Sequence, residues 1–435
     1  MADSSSKPNV LIFGGLNTYS RAIAGYLVPL DGESLVSDSG QVLGQARNNV
    51  CIRALCCSSC AVLALDLDHR YLGGEFTKIL DKPEVDYKQA NLTVPSIVHS
   101  MFDPPEGQPP YDYVFDLTGE IRPDRTDTIQ VSTTCNVAKS LGQEAAKRNI
   151  KSYIRVTLPF YETPSKGASV EKDLKPHGTI GTWWHETLRI LGAIEDLNLV
   201  ILRTGFGYGP YVDYGDMTTF ITVAAVYGFL KSPMKSLWSP GKHPMNTVHS
   251  DDIAGAVWAS AQWIAGKGRQ AAEASAGEEI LFHNDKSKLK DIEGMVPHDK
   301  KVLVPVFNLV DDSNSTLLSI GQTVTSFFGT TFDFFNLPER TLFKFMDDNK
   351  AVEEINEHHV GGWTEMIQNS NPPISNTPLS AYMDQYALEK RVVGLDNTKV
   401  KEILAYQFRC PNFGHDIIKE IVDKWKDEGS WPTLQ

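Results

Sequence analysis

Only six cysteines stand in 435 residues, and no stretch of about 18 uncharged apolar residues occurs. The scarcity of thiols argues against a disulfide scaffold and fits a reducing compartment. The closest approach to a membrane span, Ala54 to Leu65, is too short and follows Arg53. Positive charge is short as well. The 41 Lys and Arg face 54 Asp and Glu, a net charge of −13, which argues against nucleic acid or an anionic membrane as partner. Met1 to Lys7 has neither a basic n-region nor an apolar h-region, so residues 1–8 read as a polar tail rather than a signal peptide. The expectation is a soluble, cytoplasmic protein with no membrane and no nucleic-acid contact. Four cysteines cluster at Cys51, Cys56, Cys57 and Cys60. The Cys57–Cys60 spacing suits zinc, but no second pair or paired histidine completes a site, so no metal is expected.

Against these absences, one stretch carries strong local information. Val10 to Phe13 is a short apolar run that reads as a buried parallel strand. Gly14 and Gly15 supply a tight turn. From Thr18 the apolar positions Ile23, Tyr26 and Leu27 recur at helical spacing. A helix opening at such a turn directs unpaired N–H groups and its positive dipole end at the turn, which favours a phosphate. Gly14, Asn17 and Ser20 stand where a dinucleotide fingerprint places three glycines. Asn17 tolerates a left-handed turn, and Ser20 is small enough for helix–strand packing. Gly14, Gly15, Asn17, Thr18 and Ser20 are therefore the candidate cofactor-binding residues of this loop.

A nucleotide-binding sheet returns a second strand ending in an acid that holds the ribose. Ala61 to Asp68 has that character, with Asp66 or Asp68 as the acid, and Asp68 is preferred. It arrives late, after a Cys-, Ser- and Ala-rich segment, so 31–70 reads as an atypical insertion of the kind a retained intron would leave. Tyr111 to Gly119 gives the next strand, with Thr118 and Gly119 at its end facing the crevice. An amphipathic helix follows from Gln130 to Arg148, with Val137, Leu141 and Ala145 on one face. Strands at Tyr153 to Pro159 and Leu199 to Gly205 complete an alternation of strand and helix. It predicts an α/β, Rossmann-type doubly wound parallel sheet over 9–210, with a smaller C-terminal substrate lobe over 211–435 from which 246–260 returns to the sheet.

Two later segments carry a resemblance. Arg203-Thr-Gly-Phe-Gly-Tyr-Gly-Pro210 resembles the R-x-x-x-x-Y-G-P signature of extended short-chain dehydrogenase/reductases, the NAD-dependent epimerase/dehydratase-like proteins. Asn246-Thr-Val-His-Ser-Asp-Asp-Ile-Ala-Gly-Ala-Val-Trp258 is similar to their V-H-V-D-D-V-A-x-A turn. Val306 to Thr316 with the helix to Gly329 resembles their substrate-lobe strand and helix. The tail from Leu395 to Tyr406 continues the match. The resemblance implies an NAD(P) cofactor, NADP or NAD, with Thr204 and Gly205 near the nicotinamide. It also implies that His249, Asp251 and Asp252 order the junction between lobes, with Asp252 as a helix N-cap. Arg21 lies near the phosphate loop, but a surface helix position explains it better than a 2′-phosphate contact.

One part of the family pattern is missing. The family uses Tyr and, four residues on, Lys in the helix after the fifth strand. Here that helix reads Gly178-Thr-Ile-Gly-Thr-Trp-Trp-His-Glu-Thr-Leu-Arg-Ile-Leu-Gly192. Aligning Glu186 with the family's helix acid puts Gly178 and Thr182 at the two positions; aligning the aromatics puts Trp184 and Leu188 there. Indole N–H only donates and cannot serve as acid or base. Atypical reductases resembling progesterone 5β-reductase and iridoid synthase relax the same dyad, yet keep a tyrosine. Thr157 fits the polarising hydroxyl of the family. Tyr161 is the candidate phenol, with His185 and Tyr208 as further candidates, and Trp183 and Trp184 as packing residues of the substrate lobe. The aromatics from Phe327 to Phe345 are expected to line an apolar pocket.

The reading is an NAD(P)-dependent oxidoreductase of the atypical extended short-chain class, acting on a small, apolar carbonyl, enone or alcohol. The alternatives are a non-catalytic NAD(P)-binding sensor or scaffold and, behind it, a nucleotide-sugar epimerase or dehydratase. The partner is a small-molecule substrate, and a homodimer is compatible with the chain.

Overall fold

A computed structural model describes residues 8–14, 19–28, 52–57, 82, 84–172, 174–289, 292–345 and 348–434. The main sheet has eight strands: β1 (Val10–Phe13), β2 (Ile52–Cys57), β3 (Val85–Ala90), β4 (Tyr113–Asp116), β5 (Ser152–Thr157), β6 (Leu199–Thr204), β7 (Gly277–Glu279) and β8 (Leu303–Leu309). Their order is β7-β8-β6-β5-β4-β1-β2-β3, parallel throughout except for the β7–β8 pair. The order reverses between β1 and β4. In such sheets that switch point opens a crevice at the carboxyl ends of the strands.

Every residue of β1, β5 and β6 is buried, because helices cover both faces. Alternation assigns the sides. Val10 and Ile12 pack with Ile23 and Leu27 of α1 (Ser20–Leu27) and with Ile253 and Val257 of α5 (Ser250–Lys267). Leu11 and Phe13 pack with Val137 and Leu141 of α2 (Asn136–Lys147) and with Leu188 and Leu191 of α3 (Gly178–Gly192). The helix expected from Gln130 begins irregularly. Val131–Cys135 is a π-helical turn, where the Ser132 and Thr133 hydroxyls both donate to the Ile129 carbonyl at 3.0 and 2.7 Å. Such back-bonding commonly accompanies a local change in helical winding.

The C-terminal part is built around α4 (Asp216–Leu230), which packs between α6 (Leu317–Phe327) and α7 (Asp348–Gln368). It is apolar nearly all round because it is enclosed. The chain then ends in α8 (His415–Asp427). Among the described residues no helix is long and apolar enough to cross a membrane.

Three expectations change. The strand beside β1 is Ile52–Cys57, not Ala61 to Asp68, so part of the segment read as an insertion is sheet. Ala61 to Asp68, with both candidate ribose acids, lies outside the described residues. The second change is at α5. His249 is the cap, its Nδ1 accepting from the Asp251 N–H at 3.1 Å. Asp252 instead accepts from the Arg409 and Cys410 N–H groups at 2.7 and 3.0 Å and from the Tyr406 hydroxyl at 3.0 Å. It latches the C-terminal segment to the sheet. Third, Arg21 is buried, with its guanidinium 4.0 Å from the centre of the Tyr211 ring.

Candidate active site

The crevice at the carboxyl ends of β1, β4, β5 and β6 collects most of the candidate residues that the structure describes. Gly14 follows β1 at φ +126°, and a Cβ there would stand 2.9 Å from the Leu117 Cβ. Only glycine fits both the backbone angle and this closeness. Ser20 opens α1 and is buried, and among the described residues no side chain caps that helix. Gly15, Asn17 and Thr18 lie outside the described residues, as do Asp66 and Asp68.

Below the crevice runs a buried polar network. Asp116 at the end of β4 accepts from the Thr118 N–H at 2.9 Å, the Thr118 hydroxyl at 2.7 Å and the Tyr153 hydroxyl at 2.7 Å. It also meets the Arg155 guanidinium at 2.8 Å, with both side chains fully buried. Thr118 is thereby turned toward Asp116, serving the strand end as a structural post. A charged pair inside otherwise apolar strands is rare, and Asp116 with Arg155 was the signal in the sequence that could have revealed it.

Gly119, at φ +139°, lies under Trp184; a Cβ there would be 2.6 Å from Trp184 Cζ2. The indole donates to the Glu120 carbonyl at 2.8 Å and covers the Arg155 guanidinium at 4.8 Å. Trp183 turns to the other side, donating to Asp127 at 2.8 Å and joining the core below the sheet. Both indoles pack against the sheet domain, contrary to the expectation that they fill the substrate lobe. Consecutive helical residues point about 100° apart, so one reaches each side of the strand end.

Thr157 ends β5, and its hydroxyl is joined to the Tyr161 hydroxyl. The Tyr161 ring lies 5.4 Å from the Arg203 guanidinium carbon. Burial raises the Tyr161 phenol above its ordinary value, while Arg203, the Thr157 bond and Arg155 pull it back. Arg203 in turn donates to the Glu171 carbonyl at 2.7 Å. The Thr204 hydroxyl donates to the Thr157 carbonyl at 2.9 Å and so ties β6 to β5. Gly205 is packed against Asn246 and Val310, with 2.8 Å between its built Cβ position and Val310 Cγ1. Its role is close packing of the strand exit.

Tyr19, absent from the sequence-based set, is buried over Gly207, with its hydroxyl bonded to Thr204 and Gly207. The other two candidate acid–base groups lie elsewhere. Tyr208 donates to Asp311 at 3.0 Å, and burial pushes that carboxyl up to about 6. His185 sits on the far side of α3, its Nε2 2.7 Å from the Leu281 carbonyl, and burial pushes its imidazole down to about 3.

Next to the crevice is a cavity of about 280 Å³ whose lining includes Phe332, Phe335 and Phe343, the aromatics expected there, with Phe220, Trp238 and Met383. Asp216 and Arg391 also line it. Among the described residues, no cluster of His, Cys, Asp or Glu is arranged to hold a metal ion.

No family model and no curated protein sequence matches the chain. Solved structures do match. The UDP-glucose 4-epimerase of Thermotoga maritima, determined with UDP-glucose, aligns at 13% identity and a TM-score of 0.55, covering 96% of this chain and 98% of its own. The dTDP-glucose 4,6-dehydratase of Bacillus anthracis, in complex with NAD, gives 12% identity and 0.56 over 98% of each chain. The Bordetella bronchiseptica enzyme WbmG, also with NAD, gives 12% and 0.54 over 99% of this chain and 98% of its own. The chain therefore has the Rossmann-type, doubly wound fold that these structures share.

Proposed function

We propose that the protein is an NAD(P)-dependent oxidoreductase of the atypical extended short-chain class, reducing a small, apolar carbonyl or enone. The observation that carries this reading is the Thr157–Tyr161 hydroxyl pair at the end of β5, with Arg203 beside the phenol. The residues present suit a dinucleotide. Gly14 follows β1 at positive φ, no side chain among the described residues caps the start of α1, and the like-folded structures above include complexes with NAD.

When bound, the nicotinamide supplies a hydride to the substrate carbon. Tyr161 supplies the proton to the substrate oxygen. Its pKa is raised, so it stays protonated through neutrality and is suited to donating rather than to abstracting. Thr157 orients the phenol, and the Arg203 guanidinium offsets the negative charge left on Tyr161 until solvent returns the proton. Arg203 thus takes the electrostatic part that the family's lysine plays. An enone places less demand on this acid than a simple ketone, because the hydride is delivered to carbon conjugated with the oxygen.

The test is turnover of a panel of apolar ketones and enones with NADH and with NADPH. Tyr161→Phe should lower turnover by about 10²- to 10⁴-fold and leave cofactor affinity unchanged. Unaltered turnover in that variant would overturn the assignment. The sensor reading has one observation in its favour: Trp184 and Tyr19 already fill the space over Gly119 and Gly207. Saturable cofactor binding without turnover of any panel member would support it.

A further inference from the structure

The cavity beside the crevice has one unusual end. Arg391 is 3% exposed, and its Nη2 donates to the Pro159 carbonyl. Its guanidinium lies 4.2 Å from the Tyr386 ring centre and 5.5 Å from that of Phe206. Among the described residues, Nε and Nη1 have no hydrogen-bond partner. A buried charged donor left unpaired is costly, so a ligand acceptor placed here would relieve that cost. Along the chain, Pro159 stands two residues from both Thr157 and Tyr161. The remaining walls are chiefly hydrocarbon and aromatic, among them Phe220, Val223, Trp238 and Phe335.

Charge at this end selects the ligand. Asp216 is the acid nearest Arg391 in effect; burial raises its carboxyl and Arg391 lowers it. The cavity's other titratable groups are Tyr227, Lys235, His243, Glu354, His358, His359 and Glu389. Lys235 lies 3.8 Å from Glu339, and Glu389 pairs with His177 at 2.8 Å. Burial pushes His243 and His359 down, so both are uncharged at neutral pH. Arg391 therefore shares this cavity with the acidic side chains of Asp216, Glu354 and Glu389. A carboxylate or diphosphate would add uncompensated negative charge, whereas a neutral carbonyl oxygen accepts the free N–H groups without doing so.

We propose that Arg391 seats the substrate oxygen, and that the cavity takes an uncharged, mainly apolar ketone or enone with its carbonyl on Nε and Nη1. This deepens the oxidoreductase reading and rests on it for the chemistry, though not for the binding.

The test is calorimetric titration of the cofactor-free full chain with acetophenone, benzoate and UDP-glucose. Acetophenone should bind saturably and more tightly than the other two. Arg391→Gln should weaken it by about 10- to 100-fold, the worth of a charge-assisted hydrogen bond. Leu388→Trp, which fills part of the cavity and leaves Arg391 in the chain, should do the same and decides the matter if Arg391→Gln does not fold. Tighter binding of benzoate or UDP-glucose, no saturable acetophenone binding, or indifference to the substitutions would overturn the seat. A parallel NADH titration separates the two ideas. Intact NADH binding with failed ketone binding overturns the seat alone; the reverse overturns the oxidoreductase reading alone.

Discussion

Helix α3 and the end of β5 stand side by side, and they divide their work unlike the family pattern that the sequence resembles. On α3, the places of the family's Tyr and Lys fall on Gly178 and Thr182 or on Trp184 and Leu188, depending on the alignment. Thr182 merely donates to the Gly178 carbonyl at 2.9 Å. The helix's ionisable residues point the other way. His185 reaches Leu281, while Arg189 donates to the Ile280 and Pro297 carbonyls at 2.9 and 2.7 Å. They fasten segment 280–300 over the helix. At the end of β5, by contrast, Thr157, Tyr161 and Arg203 converge within one buried cluster. The hydroxyl cluster thus lies at the strand end, while these α3 side chains hold neighbouring segments in place.

Substitutions can break this contrast. The largest effect is expected from Tyr161→Phe in turnover, as above. Next, Arg155→Met removes one member of a fully buried ion pair and leaves Asp116 uncompensated, a loss of about 3–5 kcal/mol. Urea denaturation would measure it, and an unchanged midpoint would show that the Tyr153 and Thr118 hydroxyls satisfy Asp116 alone.

A subtler probe is Glu186, fully buried on α3 with neither carboxylate oxygen hydrogen-bonded among the described residues. Burial pushes it up to about 7 from 4.5, partly opposed by Arg189. The folded chain holds this proton more tightly than the unfolded chain does. Stability is thus lost as pH rises from about 4.5 to about 7, by roughly 3 kcal/mol. Glu186→Gln should gain on the wild type across that window, most at pH values above it. A constant difference between the two proteins from acid to neutral pH would contradict this. The smallest effect is expected from Trp184→Phe, which keeps the ring over Gly119 and loses one hydrogen bond, about 1 kcal/mol. Its turnover should stay within about tenfold of wild type. A larger fall in turnover would return chemistry to the helix.

Much of the scaffold was legible because it depends on local patterning. Val10 to Phe13 is apolar in every position, and a parallel strand covered on both faces has that signature. β5 and β6 are also buried throughout, but they carry Ser152, Arg155 and Thr157, and Arg203 and Thr204, among their apolar residues. The cap of α5 was misplaced because Asp is a common N-cap, yet the longer-range pull of the Arg409 and Cys410 N–H groups claims Asp252. The site was legible only in part. Thr157 and Tyr161 lie four residues apart, so their meeting is nearly local. Tyr19 reaches Gly207, and Arg391 reaches Pro159, across long stretches of the chain, and nothing in local sequence announces such contacts. Trp183 and Trp184 were read as one feature, although helical geometry sends them to opposite sides of the strand end.

The account turns on whether the crevice holds a nicotinamide nucleotide. The direct measurement is titration of the purified protein with NADH and with NADPH, following the fluorescence of the reduced cofactor. The account predicts saturable binding of one of them, with the same affinity in Tyr161→Phe as in the wild type. No binding of either up to about 1 mM, the upper end of common enzyme–substrate affinities, would contradict it.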